Sequence, residues 1–178
     1  LVGECLRALH IKNDGLAGTG ARQHIARIQD ENVIAPDDAT IAIHDTDPIR
    51  IGMIVPSSNV TMEQELPCLF KAREDLLPER FSFHSSRVRM KRVDPKELLA
   101  MNAQADRAAL ELADASIDIA LYACLVAIMV EGPGAHRRSE ARLKKTLEEA
   151  GIAAPVLTSA GALVDTLHDL NAGRIGLI

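Results

Sequence analysis

The sequence has few aromatic residues and few cysteines. Its 178 residues include one Tyr, three Phe and no Trp, so stacking platforms for nucleobases or large aromatic ligands are not expected. The three cysteines, Cys5, Cys68 and Cys124, are far apart. The sequence therefore predicts neither a disulfide framework nor a CxxC site for zinc or redox chemistry. We expect a protein of the reducing cytoplasm.

Basic charge and long apolar runs are also lacking. The formal net charge of −5 argues against a nucleic-acid partner, which needs a basic face. No apolar run approaches the roughly 20 residues that cross a bilayer, and the first residues do not resemble a secretory signal. No histidine pair has metal-ligand spacing, and no Gly-rich phosphate loop or nucleophile-elbow serine is present. We expect no membrane, no nucleic acid, no metal and no nucleotide.

The chain divides into two regions of different texture. Residues 1–48 show no sustained hydrophobic period, and we treat them as a leader of unclear structure. Residues 49–178 are regular. The chain begins with Leu1 and its first methionine is Met53, so we expect a fragment of a longer protein. The segments RIGMI at 50–54 and RIGLI at 174–178 are near-copies. They indicate either a duplicated architecture or simply a common way to begin a strand.

Short apolar runs and amphipathic segments alternate from residue 49 onward. The run RIGMIV ends at Pro56 and predicts a buried strand, Thr61 resembles a helix N-cap, and Asp94 followed by Pro95 is typical of a helix start. The predicted strands are 50–55, 80–90, 117–123, 155–157 and 174–178. The predicted helices are 61–73, 94–113, 137–150 and 159–170. This alternation predicts an α/β fold, a parallel sheet with helices on both faces.

Ligands of open parallel sheets bind beyond the carboxyl ends of the strands. Asn59 follows the first predicted strand and offers a donor and an acceptor. Cys124 follows the third, where a helix N-terminus can stabilise a thiolate and bind a carboxylate. The alternative is that Cys124 is a small buried apolar residue, the commoner fate of a lone cysteine. Cys68, within a predicted helix, and His84, in or just after a strand, are interpreted as structural.

Four segments, taken in order, resemble maleate cis-trans isomerases of the aspartate/glutamate racemase superfamily. They are IGMIVPSSNVTME at 51–63, FSFHSSR at 81–87, YACLVAIM at 122–129 and TSAGALV at 158–164. The resemblance covers about residues 49–178 and leaves out 1–48. It implies a flavodoxin-like fold and identifies this region as the first of two pseudo-symmetric halves with the active site between them.

The resemblance also implies roles for particular residues. Cys124 is the expected nucleophile, Asn59 binds substrate, and the backbone N–H groups of Leu125 and Val126 hold a carboxylate. A second catalytic Cys and a substrate-binding Tyr belong to the other half, beyond Ile178. The implied reaction converts maleate to fumarate through a covalent cysteine adduct, without metal or organic cofactor. We expect the full-length protein to be a homodimer.

Two other functions stay open at the level of sequence. The first is an amino-acid racemase or arylmalonate decarboxylase of the same superfamily. The second is an inactive truncated remnant, which the patternless residues 1–48 and the missing second Cys favour. The loop VPSSN and the segment YACLVA favour the isomerase over the racemase and decarboxylase.

Overall fold

The computed structural model of the protein describes residues 47–74 and 79–176. These residues form a series of strands and helices that alternate along the chain. The strands are β1 (Ile49–Pro56), β2 (Phe81–Val88), β3 (Ile119–Tyr122) and β4 (Val156–Thr158). The helices are α1 (Met62–Glu74), α2 (Pro95–Asn102), α3 (Ala105–Asp114), α4 (Leu125–Met129), α5 (Ala135–Glu149) and α6 (Ser159–Asp169).

The strands form one parallel sheet in the order β2-β1-β3-β4. The chain first winds outward from β1 to β2, then returns past β1 to β3, so the direction of winding reverses between β1 and β3. In doubly wound sheets ligands bind at such a switch point, beyond the carboxyl ends of the strands. The predicted α/β fold, with a parallel sheet covered by helices on both faces, is confirmed.

Alternate residues of β1 point to opposite faces of the sheet, as the period of a strand requires. Ile54 belongs to the larger core, which α2, α3 and α5 cover. On that face Gly52 allows a close approach, because an added Cβ would lie 2.7 Å from the side chain of Ile117. The opposite face packs on α1 and carries Ile51, Met53 and Val55. Both faces of β1 are therefore buried, which explains its almost continuous apolar run.

The single helix predicted over 94–113 is two helices. Its start is as predicted, since Asp94 accepts a hydrogen bond from the N–H of Glu97 at 3.0 Å and Pro95 is the first helical residue. The helix ends at Asn102, and α3 begins at Ala105. Neither Gly nor Pro marks this break. The Asn102 side chain instead hydrogen-bonds groups on β3 and α4, and a local pattern cannot show such partners.

Helix α5 ends where Gly151 predicts. Gly151 has a φ of +81°, and its N–H donates to the carbonyl of Glu148 at 3.0 Å. The next N–H, of Ile152, donates to the carbonyl of Leu147 at 2.8 Å. These two bonds form a Schellman motif, which favours glycine at the left-handed position.

Other predictions differ from the structure at the ends of elements. Strand β3 is shorter than the predicted 117–123, because the Asp118 carboxylate accepts a hydrogen bond from the backbone N–H of Arg50 at 2.9 Å. The strand predicted over 174–178 is not seen at 174–176, which have no regular structure. Residues 177–178 lie outside the described residues. So do 1–46, which include most of the predicted leader and Cys5.

Candidate active site

The loop between β1 and α1 carries Asn59, and the side chain of Asn59 caps the helix. Its Oδ1 accepts hydrogen bonds from the backbone N–H groups of Thr61 at 2.9 Å and Met62 at 3.0 Å. Thr61 stands at the predicted N-cap position, since its carbonyl accepts from the N–H of Glu65 at 2.9 Å, while Asn59 supplies the side-chain oxygen that accepts from Thr61 and Met62. Because Oδ1 is engaged, the group of Asn59 that remains for a ligand is its NH₂. Asn59 can therefore donate a hydrogen bond to an anion, but it cannot accept one from a ligand.

Arg87, at the end of β2, holds the same loop from the neighbouring strand. Its Nη2 donates to the backbone oxygens of Ser57 at 3.1 Å and Asn59 at 2.6 Å. Its Nη1 forms an ion pair with Glu63 on α1. The Ser57 hydroxyl adds a bond from the N–H of Met90 at 3.0 Å. The backbone that presents Asn59 is thus fixed by hydrogen bonds on both sides of the loop.

Cys124 lies between β3 and α4, with extended backbone angles of φ −148° and ψ 94°. It is the N-cap residue of α4, and only 8% of it is exposed. Burial raises the pKa of the Cys124 thiol, and the backbone N–H groups of Ala127 and Val126 oppose this by lowering it. Burial has the larger effect on the pKa, and the Cys124 side chain makes no capping hydrogen bond to α4.

The sheet brings Asn59 and Cys124 to one edge. The N–H of Ala123 donates to the carbonyl of Ile54 at 3.0 Å, so the end of β3 is tied to β1. The loops that follow these two strands leave the sheet side by side at the switch point. Leu125 and Val126 begin α4 at the same edge, in a helix that was not among those predicted from the sequence. The N–H groups that act on the thiol, however, belong to Val126 and Ala127.

Two polar side chains are buried beside Cys124. The Tyr122 hydroxyl donates to Oδ1 of Asn102 at 2.5 Å. Nδ2 of Asn102 donates to the carbonyl of Ala127 at 2.5 Å and to the Glu131 carboxylate at 2.7 Å. Burial raises the pKa of the Tyr122 hydroxyl well above its usual range, so this group stays a donor. The network connects the end of β3 with α4.

The N-terminus of α6, after β4, is occupied by a side chain of the protein. The Glu140 carboxylate accepts from the N–H of Thr158 at 3.1 Å and from its hydroxyl at 2.9 Å. The hydroxyl of Thr158 in turn accepts from the N–H of Gly161 at 2.9 Å. Arg137 pairs with the other carboxylate oxygen of Glu140 at 2.9 Å. The N-terminus of α6 is therefore occupied by side chains of the protein itself, those of Glu140 and Thr158.

An apolar cavity of about 390 Å³ lies beside α4 and under the turn Gly132–Gly134. Its wall does not include Cys124 or Asn59, and its character does not suit a dicarboxylate. His136 is the ionisable residue among its lining groups. The apolar wall is formed chiefly by Leu125, Ile128, Met129, Ala160, Leu163 and Val164.

The remaining candidates lie away from this edge or have structural partners. His84 is within β2, and its Nε2 lies 3.0 Å from the Ser82 hydroxyl, which agrees with a structural role. Cys68 is exposed on α1. Within residues 47–74 and 79–176, no cluster of His, Cys, Asp and Glu could hold a metal ion. No helix in this part of the chain has the length and apolarity to span a membrane.

The sequence reasoning missed three residues that shape the site. Arg87 stands in a segment used for the resemblance, but nothing local assigns it to the β1–α1 loop. Asn102 gives no signal, because its partners are distant in sequence. Tyr122 does carry one, since a tyrosine in an otherwise apolar strand needs a partner for its hydroxyl.

These features define the chain as a doubly wound α/β protein with a buried thiol and an amide donor at its switch point. No family model matches the sequence. The maleate isomerase of Pseudomonas putida strain KT2440 is 57% identical over 129 residues, which are 72% of this chain and 52% of that protein. The chain is thus homologous to maleate isomerases, and it spans about half the length of the curated relatives it matches.

The chain is also similar to solved structures of maleate isomerases. A maleate isomerase of Pseudomonas putida S16, with one cysteine replaced by alanine and with maleate, is 55% identical with a TM-score of 0.69. The match covers 70% of this chain and 50% of that one. A Nocardia farcinica maleate cis-trans isomerase, a cysteine-to-serine mutant with a covalently bound succinylcysteine intermediate, is 51% identical with a TM-score of 0.66. The match covers 70% of this chain and 50% of the Nocardia farcinica chain.

Proposed function

We propose that this chain provides the nucleophile-bearing half of a maleate cis-trans isomerase, with Cys124 as the nucleophile. The observation that carries the proposal is the position of Cys124. It is a buried thiol at the switch point, at the start of a helix, in a chain homologous to maleate isomerases. The succinylcysteine of the Nocardia farcinica protein supports a covalent route, because it is the species expected after a thiol adds to maleate.

The reaction has to remove the double-bond character of C2=C3, since a C=C bond does not rotate thermally. The Cys124 thiolate adds to C2, forming a C–S bond. The π electron pair moves to C3 and is delocalised into the carboxylate on C3 as an aci-carboxylate. Rotation about the C2–C3 single bond follows. The pair then re-forms the double bond, the C–S bond breaks, and fumarate leaves with the thiolate regenerated. Protonation at C3 instead gives the succinyl adduct.

Several donors at this edge suit the charge that develops. The NH₂ group of Asn59 can donate to one carboxylate, since its Oδ1 is committed to Thr61 and Met62. The N–H groups at the start of α4, from Leu125 to Ala127, can donate to the other. Fixed donors aimed at developing negative charge are a large source of catalysis. Their positions are set by backbone, so little reorganisation is needed during the reaction.

The proposal extends to the organisation of the whole protein. Residues 49–178 form the first of two halves, residues 1–48 are a separate leader, and a second Cys in the other half handles protons. No metal or organic cofactor takes part in the scheme above. A nucleophilic thiol must stay reduced, which favours the cytoplasm. We also propose that the full-length protein is a homodimer.

The test is a fusion of this chain to the second half of the Pseudomonas putida relative. The fusion is incubated with maleate, and fumarate is followed by NMR. We expect fumarate to form, and we expect the 178-residue chain alone to be much slower because half of the site is missing. Peptide mass mapping of a quenched reaction should locate a succinyl adduct on Cys124.

A Cys68→Ser variant of the fusion is the matched control. Cys68 is exposed on α1, so its loss should change neither the rate nor the adduct. Turnover of aspartate or glutamate enantiomers, or decarboxylation of an arylmalonate, without turnover of maleate would replace the isomerase by the other activities of the superfamily. An adduct confined to Cys68 would remove Cys124 from the mechanism.

A further inference from the structure

Helix α4 is too short to hold itself in place. It has five residues, whereas isolated helices shorter than about 12 residues are marginal in water. Its early end also leaves carbonyls without a partner further along the helix. The carbonyl of Ala127 is one of these, because the N–H of Glu131 donates to Ile128 instead, at 3.2 Å. The position of α4, and with it the N–H groups beside Cys124, must be set by tertiary contacts.

Asn102 supplies such a contact on both sides of Cys124. Through Oδ1 it binds the hydroxyl of Tyr122, two residues before the thiol, at 2.5 Å. Through Nδ2 it binds the carbonyl of Ala127, three residues after the thiol, at 2.5 Å. The N–H of that same Ala127 lowers the pKa of the Cys124 thiol. One amide therefore spans the thiol and fixes the residue whose N–H faces it.

Asn102 is itself held rigidly. It is 3% exposed, and Tyr122 is fully buried, so their polar atoms depend on each other for hydrogen bonds. Charged groups surround the pair from α5, α3 and the turn after α4. Nη2 of Arg142 donates to the backbone oxygen of Asn102 at 3.1 Å, Nη1 of Arg142 pairs with Asp106 at 2.7 Å, and Glu131 accepts from Nδ2. A satisfied buried network of this kind favours a single arrangement.

We propose that Asn102 and Tyr122 are positioning residues for Cys124, which hold the first turn of α4 so that its N–H groups face the sulfur. This inference deepens the proposed function, because it assigns the support of the proposed nucleophile. The two residues touch neither the reacting carbon atoms nor the substrate carboxylates. They act through Ala127 and through the end of β3.

The test uses the intact 178-residue chain in a background where Cys5 and Cys68 are replaced by alanine, so that Cys124 is the remaining thiol. The rate of alkylation by iodoacetamide is measured against pH, and melting is followed by circular dichroism. We expect Asn102→Asp, which keeps the acceptor for Tyr122 but loses the donor to Ala127, to shift the midpoint of the profile upward. The shift should be about half a pH unit or more, since the N–H groups of α4 would no longer be held toward the thiolate.

Tyr122→Phe should shift the midpoint in the same direction by less, because it leaves the bond from Asn102 to Ala127 in place. Asn102→Leu should shift the midpoint upward by less than Asn102→Asp, because the Asp variant also brings a negative charge near the thiol. Tyr122→Phe decides the matter if neither Asn102 variant folds. The matched control is Ser86→Ala, which also removes a buried hydroxyl. This hydroxyl lies on β2 rather than β3 and donates to the Glu111 carboxylate at 2.6 Å.

The proposal is overturned if the profiles of the folded variants coincide with that of Ser86→Ala. It is also overturned if the midpoint moves downward, because that would show the network to keep water from the thiol rather than to align donors with it. Since alkylation needs no maleate, these results are independent of the fumarate assay. Failure of the positioning proposal is therefore distinguishable from failure of the isomerase proposal.

Discussion

Two helices begin directly after neighbouring strands, and their N-termini are used in different ways. At α6, after β4, the Glu140 carboxylate and the hydroxyl of Thr158 occupy the helix start. At α4, after β3, the corresponding residue is Cys124, whose side chain makes no capping hydrogen bond. Both positions offer N–H groups and the positive end of a helix dipole to an anion. The N-terminus of α6 is occupied by the Glu140 carboxylate, and the N-terminus of α4 is not.

The N-terminus of α6 contributes to stability, whereas the N-terminus of α4 is the one that we propose for catalysis. At α6 a buried carboxylate satisfies the donors, and Gly161 leaves the space it needs, since an added Cβ would lie 2.1 Å from the Glu140 oxygen. At α4 the donors act on a buried thiol, and the helix is held instead through its carbonyl end by Asn102. A helix that is held through one of its carbonyls keeps its N-terminal N–H groups available for a substrate carboxylate. Four predictions, in order of expected size, test this comparison.

The largest effect is expected from Cys124→Ser in the fusion to the second half of the relative. The kcat for conversion of maleate to fumarate should fall at least ~100-fold, because a serine alkoxide forms with difficulty near neutral pH. Unfolding by urea should change little, since the two side chains are nearly isosteric. Near-normal kcat in this variant would show that the α4 N-terminus does not carry the nucleophile.

The next effect is on stability at the N-terminus of α6. Gly161→Ala should lower the free energy of unfolding of the chain, because overpacking typically costs about 1–3 kcal/mol. This exceeds the gain of up to about 1 kcal/mol that alanine brings to a helix. Urea titration of Gly161→Ala alone and combined with Glu140→Ala measures the coupling. The cost should fall by more than half in the combined variant, and an unchanged cost would contradict the account of this helix end.

A third prediction separates capping from substrate binding at α1. In Asn59→Asp the carboxylate keeps an oxygen for the N–H groups of Thr61 and Met62, but the donor is lost and a negative charge faces the substrate. The KM for maleate in the fusion should rise about 10-fold or more, since hydrogen bonds to charged groups contribute about 1.5–3 kcal/mol. Thermal unfolding should be unchanged or slightly improved. An unaltered KM would remove Asn59 from the binding site.

The smallest effect is a dependence of stability on pH. Burial raises the pKa of the Cys124 thiol, so the folded chain holds this proton more tightly than the unfolded chain. Below the unfolded value of about 8.5 the group contributes nothing to the pH dependence, and above it stability falls as pH rises. Urea unfolding of the parent and of Cys124→Ser should therefore diverge as the pH rises above about 8.5. Parallel curves over this range would show that the thiol pKa is not raised.

Local chemistry decided most of the elements that the sequence predicted correctly. The apolar run before Pro56, the pair Asp94-Pro95 and the stop at Gly151 each act through their own neighbours, so a single sequence shows them. The break after Asn102 was missed because its cause is a set of partners on β3 and α4. Thr61 was predicted correctly as the residue before the helix, but the side-chain oxygen of Asn59 two residues earlier, which accepts from the N–H of Thr61, was missed.

The residues of the candidate site can likewise be divided into those that the sequence predicted and those that it missed. Cys124 and Asn59 could be predicted because both follow apolar strands, and the carboxyl ends of parallel strands lie at one edge of a sheet. Their placement at that edge agrees with the sequence, while their catalytic roles stay predictions. The support of Arg87 for one loop and of Asn102 for the other could not be predicted, because both act across distances that leave no local pattern.

The sequence by itself determined the parallel α/β class, the order of its elements and the positions of the thiol and amide at strand ends. These follow from hydrophobic period and turn chemistry, which are properties of short segments. Only the tertiary structure decided that Glu140 binds Thr158 at the start of α6 and that Asn102 binds the Ala127 carbonyl of α4. Burial and hydrogen bonding between residues far apart in the chain set those environments, and they raise the pKa of Cys124.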